Sequence, residues 1–220
     1  MKLYIGNQNY SSWSLRAWVI FAQNGLNVEV TKLTLFTPEF YQTLETLTPA
    51  AKVPALIDEE IAVWDSLAIL EYVNERYLEG RCWPETAAEK AKARAVACEM
   101  HSGFFALRNE LPMNCRANRR VELSDEAVRD IQRIDAMWSE QMAIHDGRWL
   151  FGDWSIADAM YAPVALRFKT YGIQLSERAA QYQQTVLSSP AIQTWLEQAA
   201  LEQDIVKEDE AGVEVPTINA

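Results

Sequence analysis

Three serines, Ser11, Ser12 and Ser14, crowd the stretch Asn9-Tyr10-Ser11-Ser12-Trp13-Ser14-Leu15-Arg16. The stretch lies between an apolar run, Leu3-Tyr4-Ile5, and a segment with Leu15, Trp18, Val19 and Ala22 at helical spacing. The first predicts a short strand. The second predicts an amphipathic helix that begins near Ser14 and is closed by Gly25. A helix start carries unpaired N–H groups and the positive end of the helix dipole, and both favour an anion. A hydroxyl there can cap the helix or donate to the anion, and the sequence leaves both uses open. Tyr10 adjoins, but a phenol with a pKa of about 10 needs tuning before it can act as a base.

The 220 residues suffice for one large domain or two small ones, each with a real core. With 49% hydrophobic and 23% charged residues, the chain has the composition of an ordered globular protein. A net charge of −11 argues against nucleic acid and against an acidic membrane surface as partners. It leaves room for an anionic small molecule at a local helix end. The N-terminus lacks the apolar region of a signal peptide, and no apolar run reaches membrane-spanning length. Cys82, Cys98 and Cys115 are odd in number and form no CxxC, so they read as reduced thiols of a cytoplasmic protein. His101 and His145 are the only histidines and match no zinc pattern, so no metal is expected.

The elements that must position the serines follow from periodicity. After Gly25, Val28, Val30, Leu33 and Leu35 predict a second strand over 27–35. Thr37-Pro38 opens a helix carrying Phe40, Tyr41, Leu44 and Leu47, which stops before Pro49. Residues 52–57 predict a third strand with Pro54 near its start. A three-residue turn, Asp58-Glu59-Glu60, leads back through Ile61–Trp64, implying an antiparallel hairpin. Asp65-Ser66 caps a helix with Leu70, Val73 and Tyr77. Periodicity then breaks between Leu78 and Thr86, where a domain boundary is expected. Beyond it only helical patterns occur. An Ala-rich helix spans 85–111, and another starts at Ser124, with Gly147 following it. A third is headed by the capping box Ser155-Ile156-Ala157-Asp158, for which a structural role suffices. Two more cover 176–187 and 190–200, and the tail from Lys207 reads as an extension without its own core.

The order strand, helix, strand, helix, strand, strand, helix is that of the thioredoxin fold. Followed by helices, and combined with Val53-Pro54-Ala55-Leu56, Asp65-Ser66 and Gly152-Asp153-Trp154-Ser155-Ile156-Ala157-Asp158, it resembles the cytosolic glutathione S-transferase superfamily. Ser11-Ser12-Trp13-Ser14-Leu15-Arg16 is similar to the serine motif of the zeta class, in a bacterial form, with Trp13 where that class has cysteine and Leu15 where it has tryptophan. The resemblance implies an α+β chain, with a thioredoxin-like glutathione-binding domain over 1–80 and an all-helical domain over 86–220.

The resemblance also implies roles. Pro54 would be a cis-proline that leaves the main chain of Val53 to pair with the cysteinyl part of glutathione. Asp65 would face the γ-glutamyl ammonium, Ser66 the adjoining carboxylate, and Lys52 the glycyl carboxylate. Ser11 or Ser12 would hold the thiolate, with Ser11 narrowly first. The electrophile site would lie between the domains, lined by Tyr10, Trp13 and a stripe on the Ala-rich helix. That stripe, His101, Phe104, Phe105 and Arg108, recurs at spacings of three, four and seven, as does ordinary core packing. His101 reads equally as a proton carrier or a half-buried histidine. The implied activity is a homodimeric glutathione transferase with glutathione as co-substrate. The alternatives are a glutathione-dependent maleylacetoacetate-type cis–trans isomerase, whose cysteine is missing here, and a non-catalytic binding protein of the same fold.

Overall fold

In a computed structural model, residues 1–146 and 148–216 are described. The chain opens with β1 (Lys2–Ile5), α1 (Ser12–Asn24), β2 (Glu29–Lys32), α2 (Pro38–Leu47), β3 (Ala55–Asp58), β4 (Ile61–Trp64) and α3 (Ser66–Tyr77). The four strands form one sheet in the order β2-β1-β3-β4. β1 runs parallel to β2 and antiparallel to β3, and β3 and β4 form a hairpin. Thr37 accepts the Phe40 N–H ahead of Pro38, so α2 begins where its cap and proline dictate.

Several boundaries move. β2 is shorter than its alternating pattern suggests, because the chain leaves the sheet after Lys32 and the Leu35 N–H bonds to the Asn7 side chain at 2.9 Å. Pro54 lies before β3, not inside it. Asp58 pairs with Ile61, so the hairpin turn is the two residues Glu59-Glu60, with Glu59 at a φ of 55°.

The helical part follows as α4 (Ala87–Ser102), α5 (Phe105–Glu110), α6 (Asp125–His145), α7 (Ile156–Thr170), α8 (Glu177–Ser188) and α9 (Pro190–Leu201). The expected single helix over 85–111 is two helices. Gly103 is extended at the break, and a Cβ there would meet the Glu99 carbonyl oxygen at 2.7 Å. Phe104 follows in the left-handed region at a φ of 57°. The free Leu107 N–H at the new helix start bonds to Asp130 of α6 at 3.1 Å. The tail is not purely an extension either. After a 3-10 turn at Lys207–Asp209, β6 (Val213–Glu214) pairs with β5 (Arg119–Arg120). Gly147, expected after α6, lies outside the described residues, and α6 ends on Asp146 in the left-handed region.

One hydrophobic core joins both halves. Leu3, Ile5, Leu15, Val19 and Leu70 meet Val96, Trp138, Tyr161 and Trp195 within it. α1 packs against both α3 and α7, so the N-terminus of α1 is held from both sides. The capping box of α7 is fully formed. Asp158 accepts from the Leu150 N–H, the Ser155 N–H and hydroxyl, and the Tyr182 hydroxyl, all within 3.1 Å.

Candidate functional site

The helix starts two residues earlier than periodicity suggests. α1 starts at Ser12, with Ser11 as its N-cap. Apolar spacing marks only the residues that face the core, and the capping turn faces elsewhere. Ser11 accepts from the Ser14 N–H at 3.4 Å, and the Ser11 and Ser14 hydroxyls share a hydrogen bond of 2.7 Å. Ser14 in turn accepts the Gly6 N–H at 3.0 Å. Ser14 thus ties the Ser11 hydroxyl to the backbone of Gly6, and either hydroxyl can supply the proton of the bond they share; when Ser14 supplies it, the Ser11 proton is free for a ligand. Ser12 accepts from the Arg167 guanidinium at 3.1 Å. Both Ser11 and Ser12 line a cavity of about 610 Å³, together with Tyr10, Trp13, Arg108 and Arg167.

The loop ahead of the serines is bolted to distant parts of the chain. Glu202 accepts the N–H groups of Gln8 and Asn9 at 2.8 and 3.0 Å. Asn9 donates to Asn114 at 2.9 Å, and Trp195 donates its indole N–H to the Gln8 carbonyl at 2.8 Å. These bonds fix a polar loop whose asparagines are fully buried.

A second cavity of about 380 Å³ adjoins the first, sharing Trp13, Lys52 and Val53 with it. It is lined also by Pro54, Asp65, Ser66 and His101. The Val53–Pro54 bond is cis. Asp65 caps α3, its Oδ1 accepting from the Leu67 and Ala68 N–H groups at 2.9 and 3.3 Å. Its Oδ2 lies 2.7 Å from His101 Nε2. The backbone of Asp65 sits at a φ of 75°, a conformation costly for a residue with a side chain. Ser66 is buried, and its hydroxyl has no hydrogen-bond partner among the described residues.

Trp13 lines both cavities. The guanidinium carbons of Arg16 and Arg108 lie over its ring at 4.4 and 4.5 Å, and it makes an edge contact with His101 at 5.4 Å. Arg16 is fully buried, donates from Nε to the Met160 carbonyl, and leaves both terminal nitrogens unpartnered among the described residues. Burial pulls its pKa down, with Arg167 and Arg108 adding to that effect. Arg167 is likewise lowered, to about 10, by burial first and by Arg108 second. Tyr10 is shifted the wrong way for a base. Burial and its hydrogen bond to Glu210 raise the phenol pKa.

The structure thus brings Ser11, Ser12, Tyr10, Trp13, Lys52, Val53 and Arg108 together in one cavity and Pro54, Asp65, Ser66 and His101 in its neighbour. Phe105 is not brought in. It is 65% exposed and lines neither cavity, because the break at Gly103-Phe104 ends the helical spacing that put it on a stripe. The same break lets Arg108 fold back and donate to the carbonyls of Met100, His101 and Gly103. Two cavity residues, Arg167 and Asp209, had no signal in the sequence, since each arrives from a segment far along the chain. Gly103 inside an Ala-rich helical pattern was the signal for the break.

Comparison with known proteins agrees with this fold. The family model for the glutathione S-transferase N-terminal domain matches residues 10–76. A zeta-class glutathione S-transferase of Euphorbia esula is 31% identical over 161 residues, covering 69% of this chain and 69% of its own. A probable maleylacetoacetate isomerase of Caenorhabditis elegans is 24% identical over 76% of this chain and 78% of its own. Among solved structures, a glutathione transferase homologue from Burkholderia with bound glutathione superimposes with a TM-score of 0.71 at 21% identity, covering 90% of this chain and 97% of that one. An α+β architecture of thioredoxin type followed by helices, a serine-capped first helix and a relative of this identity and coverage together lead to one conclusion: the chain belongs to the cytosolic glutathione S-transferase superfamily and is zeta-like within it.

Proposed function

We propose that this protein is a glutathione transferase that binds the tripeptide across both cavities and directs its thiolate at a small electrophile. The observation that carries the reading is the buried hydroxyl of Ser66, without a partner among the described residues, in a cavity that also holds Asp65 and Val53. A native protein rarely leaves a buried hydroxyl without a partner, and a ligand carboxylate at the start of α3 would supply one. Asp65 then meets the ammonium, Val53 pairs with the cysteinyl main chain, and Lys52 stands at the rim for the glycyl carboxylate.

This pose brings the thiol to the head of α1. The S–H proton leaves to solvent, the helix end and a serine hydroxyl stabilise the thiolate, and the sulfur forms a bond to the electrophilic carbon as its leaving group departs. Calorimetric titration with glutathione, followed by conjugation of an aryl halide, tests the reading. Absence of glutathione binding would refute it. A glutathione-dependent cis–trans isomerisation is the second reading, supported by similarity to the probable maleylacetoacetate isomerase. Turnover of a maleyl diketone acid without conjugation of the aryl halide would favour it.

We also infer a cytoplasmic homodimer. Free Cys82, Cys98 and Cys115 fit a reducing compartment. Ile61 on β4 and Tyr77 on α3 are exposed on one side of the sheet, as a face covered by a second copy would be in a single chain. Light scattering that returned the mass of one chain would overturn the dimer.

A further inference from the structure

Asp209 is used by nothing described so far. It ends the 3-10 turn at Lys207–Asp209 and lines the larger cavity with Ser12, Trp13, Arg108 and Arg167. It is the one carboxylate among the residues lining that cavity, and no hydrogen bond to its side chain occurs among the described residues.

The turn is anchored on both flanks. Glu210, next in the chain, accepts from the Tyr10 hydroxyl at 2.6 Å, from Asn114 at 2.9 Å, and from Arg119. Upstream, Arg116 donates to the carbonyls of Glu202 and Asp204. Downstream, β6 is paired with β5 and the Val215 N–H bonds to the Asn118 carbonyl at 2.8 Å. A side chain delivered on so well tied a strap is positioned.

Charges of both signs act on it, Arg167 in one sense and Glu208 and Glu210 in the other. Arg167 on α7 and Tyr171 just after it both feel its charge. Arg108 from α5, Tyr10 from the first loop and Lys52 ahead of β3 share its cavity, while Glu208 and Glu210 flank it. Arg108 and Arg167 have no carboxylate in salt-bridge contact among the described residues.

We propose that Asp209 is a charge-selecting residue of the electrophile cavity: ionised, it offsets the Arg108 and Arg167 guanidiniums and favours neutral electrophiles, and protonated, it leaves those guanidiniums to an anionic one. This rests on the transferase reading for the identity of the ligand as an electrophile. Burial pushes the Asp209 carboxyl up to about 6, with Arg167 opposing and the neighbouring glutamates adding to the shift. The group is therefore mostly ionised at neutral pH and mostly protonated one unit below its midpoint. Selection for anions strengthens as pH falls.

The test separates binding from turnover. The full chain is titrated with 4-toluenesulfonate, which stays ionised, and with the neutral 4-toluenesulfonamide, and tryptophan fluorescence reports both affinities. The ratio favouring the sulfonate is expected to rise roughly three- to tenfold between about pH 7.5 and about pH 5, the range for one like charge removed from a partly solvated site. Asp209→Asn should show the high ratio at both pH values, and Asp209→Glu should restore the pH dependence. A wild-type ratio that does not change with pH, or an Asp209→Asn ratio that changes as much as wild type, would overturn the proposal. Conjugation of a benzyl halide and its ring-sulfonated analogue then addresses the transferase reading separately. If neither is conjugated while the binding ratios behave as expected, charge selection stands and the transferase reading fails.

Discussion

Replacing Ser11 with alanine is the most direct perturbation of the head of α1. In the wild type, the Gly6 N–H holds Ser14, and Ser14 shares a hydrogen bond with Ser11, whose hydroxyl lines the cavity and can donate to a thiolate there. A hydrogen bond to a charged acceptor contributes about 1.5–3 kcal/mol. At about 1.4 kcal/mol per unit, its loss should raise the pKa of the bound thiol by roughly 1–2 units. Each unit reduces the thiolate population about tenfold when pH lies below the midpoint. The more basic thiolate is also a better nucleophile, which on a Brønsted slope of about 0.4–0.5 recovers nearly half of the loss on a logarithmic scale. Turnover at neutral pH should therefore fall roughly three- to tenfold, while glutathione still binds through the other cavity. Thiolate absorbance of the bound tripeptide, titrated against pH, reads the shift directly. Ser14→Ala should give a smaller shift, since it removes only the orienting partner. Ser12→Ala is the companion variant, because Ser12 bonds to Arg167. If neither Ser11→Ala nor Ser12→Ala moves the titration, both hydroxyls are helix caps and the thiolate site lies elsewhere.

Asp65→Asn keeps an acceptor for the Leu67 and Ala68 N–H groups, so the cap of α3 survives while the charge is lost. Glutathione affinity should weaken by about 1–3 kcal/mol, measured by calorimetry, with the unfolding midpoint nearly unchanged. Ser66→Ala removes a buried hydroxyl with no partner among the described residues. Thermal unfolding should show no loss of stability, whereas glutathione binding should weaken by about 1 kcal/mol; a destabilised protein with normal affinity would contradict the assignment. Asp158→Ala, remote from the cavities, strips acceptors from four donors in a buried site. It should cost about 3–5 kcal/mol in denaturant unfolding, by leaving buried N–H and O–H groups unmet.

What the sequence by itself determined is the part governed by neighbours in the chain. Alternating and helical periods set the order of strands and helices through α3. Thr37-Pro38, Ser124 and Ser155 through Asp158 set helix starts, because a cap bonds to a group two or three residues away. The serine-rich turn and Asp65-Ser66 were legible for the same reason. The tertiary structure decided what depends on partners far along the chain. The helix over 85–111 broke at Gly103-Phe104, where Asp130 of α6 supplies a partner to the new N-terminus, and so Phe105 left the site while Arg108 stayed. Asn7, Gln8 and Asn9 read as an interruption after a strand, yet Glu202, Asn114 and Asp204 make them the buried floor beneath the serines. Arg167 and Asp209 enter the cavity from more than a hundred residues away from Ser12. No local period marks such residues, because their burial and charge acquire meaning only once α1, α7 and the C-terminal strap are packed around one space.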